Sequence, residues 1–133
     1  MAEAQDVHGT VFKNGSATLL ARVVGATGVV VNRADVVAVK YGIFLLDERD
    51  ADSQAAVAEH TNVSLTVADV LFDTLQRDAL WTRDTTGYNF KHVLDVSAHQ
   101  AFTIAGRAYR VVYELAPAGG GQVILVRFRV HAI

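Results

Sequence analysis

The sequence predicts a mainly β protein, an antiparallel β-sandwich of about seven strands with one short helix near residues 67–78. Two observations carry this prediction. Residues 105–130 form two alternating segments around a proline and three consecutive glycines, which is typical of a β-hairpin. Residues 36–46, VVAVKYGIFLL, are the most apolar run in the chain and are rich in β-branched residues.

The closing hairpin at 105–130 has a different character on each face. Its apolar positions alternate along both segments: Tyr109, Val111, Tyr113 and Leu115, then Ile124, Val126, Phe128 and Val130. Polar residues take the positions between them: Arg110, Glu114, Arg127, Arg129 and His131. This alternation predicts that one face packs in a core and the other meets solvent or a partner.

The run at 36–46 is apolar on both faces, and Lys40 is its single charge. A strand of this kind is either central in a sheet and covered on each side, or exposed to a partner. Gly42 within the run argues against a helix.

The remaining segments complete the predicted order. Residues 7–12 and 17–24 flank Asn14-Gly15 and predict a hairpin that follows a loose tail at 1–6. Thr66 and Asp69 have capping-box spacing, and apolar residues at helical spacing predict a helix that continues to about residue 78. Residues 88–96 alternate as a strand, whereas 55–65 could be a strand or an irregular connection. Without a linker, residues 7–133 are predicted to form a single β-sandwich domain.

Composition limits the functions that we expect. The chain has 133 residues, a net charge of −2 and no cysteine, so disulfide and thiolate chemistry are excluded and nucleic acid is not an expected partner. Apolar residues make up 51% and charged residues 20%, which indicates either a partner interface or the composition of a GC-rich genome. The first residues lack the features of a signal peptide, and no apolar run reaches the roughly 20 residues that span a bilayer. We therefore expect a non-exported protein without a membrane partner.

No motif predicts catalysis. Five histidines, at positions 8, 60, 92, 99 and 131, lack metal-ligand spacing, and the glycines at 119–121 lie between strands instead of opening a helix. Asp69 and Asp73 lie one helical turn apart and are expected to be solvated. His92 lies on an apolar strand face and is predicted to be a core histidine with one ring nitrogen hydrogen-bonded. The sequence thus predicts a non-enzymatic protein with no catalytic, cofactor-binding or metal-binding residue.

An arginine strip is the first candidate binding surface. Arg110, Arg127 and Arg129 are predicted to share the outer face of the closing hairpin. The acidic loop 47–52 could contact this strip on a neighbouring subunit; its carboxylates are Asp47, Glu48, Asp50 and Asp52. The alternatives are ordinary cross-strand pairing of the arginines with Glu114, and a loop that is simply solvated, since it lacks the register of a calcium loop.

Trp81 is the second candidate, together with the loop 84–88 that ends at Tyr88. If these rings are exposed, they make a ligand platform, for a sugar ring for example. If they are buried, Trp81 only anchors the end of the helix.

Residues 106–113, GRAYRVVY, resemble the penultimate strand of immunoglobulin-like domains. The resemblance implies a tyrosine corner, in which the hydroxyl of Tyr109 bonds back to the preceding turn. The inter-sheet disulfide of antibody domains is absent, and the helix is a departure, so a jelly roll or another sandwich topology stays open.

The segments ATLLARVVG, DVVAVKYGIFLLD and YRVVYEL…VRFRV together resemble immunoglobulin-like proteins of tailed phages and prophages. The resemblance implies a structural virion component, such as a capsid decoration, neck or tail accessory protein, that packs against copies of itself or a larger assembly. Its location would then be the virion, and otherwise the cytoplasm. The alternative is a carbohydrate- or ligand-binding sandwich that uses Trp81 and loop 84–88, followed by an enzyme whose site is spread over loops.

Overall fold

The fold was analysed in a computed structural model, which describes residues 13–25, 28–50 and 53–133 and the backbone of residues 6–11. The strands are β1 (Asp6–Val11), β2 (Ala17–Ala21), β3 (Val36–Leu46), β4 (Gln54–Ala56), β5 (Val63–Leu65), β6 (Leu71–Gln76), β7 (Tyr88–Leu94), β8 (Ala108–Pro117) and β9 (Ile124–Ala132). A 3-10 turn (Arg33–Asp35) precedes β3, and a single helical turn, α1 (Val67–Val70), precedes β6. The predicted tail at 1–6 lies outside the described residues except for Asp6, which begins β1.

Two sheets pack face to face, as predicted. The larger has the order β1-β9-β8-β3-β4, with β5 also paired to β3, and the smaller has the order β2-β7-β6. Immunoglobulin-like sandwiches divide their strands in this way, with the second, fifth and fourth main strands in one sheet and the third, sixth and seventh in the other. Here β4 and β5 form a broken additional strand beside β3. This order agrees with an immunoglobulin-like sandwich and not with a jelly roll.

The tyrosine corner is present. The backbone N–H of Ile104 donates to the hydroxyl of Tyr109, 3.1 Å away, and the rings of Phe102 and Tyr109 meet edge to face. Val111, two residues further along β8, is fully buried at the position where antibody domains carry the second cysteine of their disulfide. At this position the chain therefore has a closely packed valine, where antibody domains have a disulfide bond.

The closing hairpin and β3 match the sequence prediction. β8 and β9 pair antiparallel from Ala108–His131 to Leu115–Ile124, and their apolar face is buried almost throughout. β3 pairs with β8 on one side and with β4 and β5 on the other. The core cluster lies between the sheets and includes Tyr41, Ile43, Phe90, Tyr113 and Phe128.

Two predicted elements are wrong. The segments around Asn14-Gly15 do not form a hairpin, because β1 runs parallel to β9 in the larger sheet while β2 pairs with β7 in the smaller one. Asn14 still adopts the positive φ that the turn requires, at 62°. The turn thus carries the chain from one sheet to the other.

The helix predicted for 67–78 is also wrong beyond its first turn. α1 ends at Val70, Thr66 makes no side-chain capping bond, and residues 71–76 form β6. Leu71 is fully buried opposite Phe90 in the smaller sheet. Burial of Val70 and Leu71 against β7 outweighs the helical spacing, since α1 is too short to gain stability from its own hydrogen bonds.

Candidate interaction face

The outer face of the larger sheet brings the three predicted arginines together. Arg110 on β8 lies directly opposite Arg129 on β9, and Arg127 lies opposite Val112, two residues along the strand from Arg110. All three side chains are partly buried. The arginine strip predicted from the sequence is therefore a real feature of this face.

Register extends the face across β3, β8 and β9 in successive rows. Lys40, Glu114 and Leu125 form one row; Gly42, Val112 and Arg127 form the next; Phe44, Arg110 and Arg129 form the third. Ala38 and Ala116 pair at the far end. Small and apolar residues thus occupy the middle of the face, and charged residues stand around them. We call this surface the outer face of the larger sheet.

The middle of this face is flat because of Gly42 and Phe44. A Cβ atom placed on Gly42 would lie 3.3 Å from Cζ of Phe44, so the phenyl ring covers the glycine backbone. A shallow groove of about 240 Å³ runs along the same place, between Phe44, Val112 and Leu125. Leu125 is 38% exposed, which is high for an apolar side chain of this size.

One ion pair of this face joins β3 and β8. Glu114 forms an ion pair with Lys40 across β3 and β8, with Nζ and Oε2 3.3 Å apart. Both side chains are about half exposed, so this pair contributes little to stability. Glu114 lies opposite Leu125, not opposite an arginine.

The acidic loop lies at the arginine end of the same sheet. Glu48 pairs with Arg107 at 3.2 Å, and Arg107 also donates to the carbonyl of Leu46, so the loop is held against the start of β8. The backbone N–H groups of Arg49 and Asp50 donate to Asp47, which lowers the pKa of its carboxyl. Asp50 accepts a hydrogen bond from Ser53, and the predicted site residue Asp52 lies outside the described residues. Asp47 and Glu48 therefore have partners within their own chain.

The Trp81 corner differs from the predicted platform. Tyr88 is 1% exposed, its hydroxyl donates to Asp78 at 2.7 Å, and burial together with this bond raises its pKa to about 12. Trp81 is half-buried against Tyr88, with ring centroids 5.6 Å apart. Tyr88 is thus not available as a ligand platform. Trp81 does serve as an anchor. It anchors the turn that follows β6 and not the end of a helix, because the predicted helix does not reach this point.

Asp84 holds this corner together, and no sequence motif indicated it. One of its carboxylate oxygens accepts from Nε1 of Trp81 at 2.8 Å and from two backbone N–H groups, and the other pairs with Arg22 at 2.8 Å. The indole bond and then the arginine hold the pKa of Asp84 well below its usual range. The polar atoms of the corner thus bind one another.

Between the sheets, His92 is the core histidine that its strand position predicted. The hydroxyl of Tyr113 donates to Nδ1 of His92, 2.6 Å away, and the ring of Tyr41 lies 5.2 Å from the imidazole. Burial lowers the pKa of His92 to about 4, and it raises that of Tyr113. At neutral pH the imidazole is therefore uncharged, and its Nδ1 accepts a hydrogen bond from the hydroxyl of Tyr113.

Two further buried polar residues escaped sequence analysis. His60 is 3% exposed; its Nε2 donates to the carbonyl of His99 at 2.5 Å, and its Nδ1 accepts from Tyr41. Asn89 is fully buried and bonds the N–H and carbonyl of Val23 and the carbonyl of Val31. Both connect segments that are distant in sequence, and only a contact map could have indicated them.

Comparisons with known proteins found no matching protein family, no matching curated protein and no matching solved structure. Among the described residues, no cluster of three or more histidines or carboxylates could hold a metal ion. The helices in that part of the chain are all too short or too polar to cross a membrane.

Proposed function

We propose that this protein is a non-catalytic structural subunit that works through protein–protein contacts made by the outer face of the larger sheet. The observation that carries the proposal is the arrangement of this face. A flat centre around Gly42 and Val112 is bordered by the arginines and by exposed Leu125. Apolar centres with arginine and aromatic side chains around them are typical of protein interfaces.

The Trp81 corner supports the same choice by contrast. Its ring atoms pack on Tyr88 and its polar atoms bind Asp84, so it offers a ligand little free surface. A carbohydrate platform needs an exposed ring and free hydrogen-bonding groups beside it. We therefore do not propose a carbohydrate-binding module.

A tailed-phage virion is the biological setting that we propose. Its support is the resemblance of ATLLARVVG, DVVAVKYGIFLLD and the closing hairpin to immunoglobulin-like phage proteins. Small sandwich subunits suit such particles because a rigid domain can present one face repeatedly. Capsid, portal or tail genes beside the gene would support this setting, and a neighbourhood of unrelated metabolic genes would argue against it.

Photo-crosslinking tests the proposed contact face. The photoreactive residue p-benzoylphenylalanine replaces Val112 at the centre of the face, and in a matched control it replaces exposed Arg83 in the turn beyond Trp81. The chain is irradiated in the cells that produce it, and adducts are identified by mass spectrometry. We expect one defined protein, either this chain or a partner, at position 112 only. Equal adducts at both positions, or none at 112, would contradict the proposal.

A further inference from the structure

The outer face of the larger sheet carries two opposite charges, Glu114 and Arg110, that exchange places after a two-fold rotation. On β8, Glu114 and Arg110 lie two residues to either side of Val112, and on β3, Lys40 and Phe44 lie two residues to either side of Gly42. Each pair is thus displaced from the central row by about 7 Å in opposite directions. A two-fold axis through that row, perpendicular to the strands, exchanges the members of each pair.

We propose that the partner of this face is a second copy of the chain, packed face to face about that axis; this inference rests on the proposed function. Glu114 of each copy then meets Arg110 of the other, and the ammonium of Lys40 lies over the ring of Phe44. Val112 meets Val112 at the centre of the interface, beside the Phe44 rings that cover Gly42 in each copy. Such an interface is isologous and closes as a dimer.

Stacked sheets normally cross at about −30° because of their twist. At 7 Å from the axis this rotation displaces facing residues by roughly 4 Å, which side chains as long as Glu114 and Arg110 can span. A cross-copy pair of these two residues is therefore compatible with ordinary sheet packing. The ion pair of Glu114 with Lys40 in its own copy is exposed and weak, so it does not prevent a second contact.

Size and charge predict that the dimer is weak. Three strands about 4.8 Å apart, over roughly 27 Å of strand, give about 400 Å² per copy. The total of about 800 Å² lies below the roughly 1,000 Å² expected of a stable specific interface, so the dimer is a weak and transient one. Arg127 lies on the axis row and meets its own copy, which opposes association. Because Arg127 lies on β9 at the rim, solvent screens part of this repulsion.

Charge exchange tests this register directly. Sedimentation velocity over a range of concentrations should show a reversible dimer for the wild-type chain. Glu114→Arg and Arg110→Glu should each weaken association at least tenfold, and the double variant should return to within about threefold of wild type, because exchange restores both cross-copy pairs. Arg127→Ala should strengthen association several-fold. Arg83→Glu, remote from the face, should leave it unchanged.

Three additional variants make every outcome informative. If a charge reversal reduces the melting temperature, the neutral variant at the same position, Glu114→Gln or Arg110→Gln, is used in its place. Each neutral variant should weaken association, and combining the two should not restore it. Val112→Arg blocks any contact at the centre of the face. If Val112→Arg abolishes association but the double exchange does not rescue it, the two-fold register is wrong and the proposed face stands. A wild-type monomer at all concentrations overturns the dimer, and adducts with another protein at position 112 would then still support the proposed function.

Discussion

The outer face of the larger sheet and the Trp81 corner both carry the residues from which binding sites are made, yet the corner is packed around a buried tyrosine and the face is not. In the corner, Asp84 binds the indole, Arg22 and two backbone N–H groups, and Asp78 accepts from buried Tyr88. On the outer face, the exposed pair Lys40–Glu114 is surrounded by partly buried arginines and apolar side chains. The corner is built for stability, and we propose the face for contact. Substitutions should therefore affect stability in the first and association in the second.

Tyr88→Ala should have the largest effect on stability. The side chain is buried beside Phe72 and Trp81, so truncation leaves a cavity and removes one hydrogen-bond donor from the carboxylate of Asp78. We expect a loss of about 3–5 kcal/mol in the free energy of unfolding. Urea denaturation followed by tryptophan fluorescence measures it. A loss below about 1 kcal/mol would mean that the corner does not pack as described.

Acid should destabilise the inter-sheet core through His92. The pKa of His92 is about 4 in the folded chain and about 6.5 in the unfolded chain. Between these two pH values the unfolded chain therefore binds a proton that the folded chain does not bind. Stability from this group is complete above pH 6.5 and is lost as the pH falls to about 4, by roughly 2–3 kcal/mol. Denaturation midpoints across this range measure the effect.

His92→Gln is the matched control for the acid effect. Glutamine keeps an acceptor for the hydroxyl of Tyr113 but does not titrate. Its unfolding free energy should change much less between pH 6.5 and 4 than that of the wild type. Equal slopes in the two proteins would assign the acid sensitivity to other groups.

Tyr88→Phe should have a smaller effect than truncation, because it removes only the hydroxyl that donates to Asp78. The ring contacts remain, and we expect a loss of about 1 kcal/mol. The comparison with Tyr88→Ala separates the packing of the corner from its hydrogen bonding. Equal losses for the two variants would assign the whole effect to the hydroxyl.

Arg129→Ala should have the smallest effect on stability, within about 0.5 kcal/mol, since the side chain is only partly buried on the outer face. Thermal unfolding in dilute solution measures this difference. A loss above about 2 kcal/mol would place Arg129 among the structural residues and would remove the contrast between the two regions.

The sequence predicted those parts of the molecule whose pattern is local. β3, β8 and β9 alternate so regularly that their bounds, their faces and the arginine strip followed from period-two spacing. The resemblance of residues 106–113 to an immunoglobulin-like strand was enough to indicate the tyrosine corner. In each case the signal lies within about ten neighbouring residues.

Features that depend on distant partners were not predicted. The spacing of residues 67–78 is helical, but Leu71 is buried opposite Phe90, and this contact makes the segment a strand. Asn14-Gly15 lies in a turn, as predicted. The strands on either side of it lie in different sheets, because β1 pairs with β9 and β2 pairs with β7. Asp84 resembles any surface aspartate in the sequence. Its four donors come together only when the turns fold.

Concentration-dependent NMR of the ¹⁵N-labelled chain tests the central claim most directly, because it reports both regions in one experiment. From dilute to millimolar protein, we expect chemical-shift changes confined to the outer face, at Gly42, Val112 and Glu114, while the indole N–H of Trp81 and its neighbours stay unchanged. Changes centred on Trp81, or no change at any residue, would contradict the assignment of this face as the surface on which copies of the chain meet.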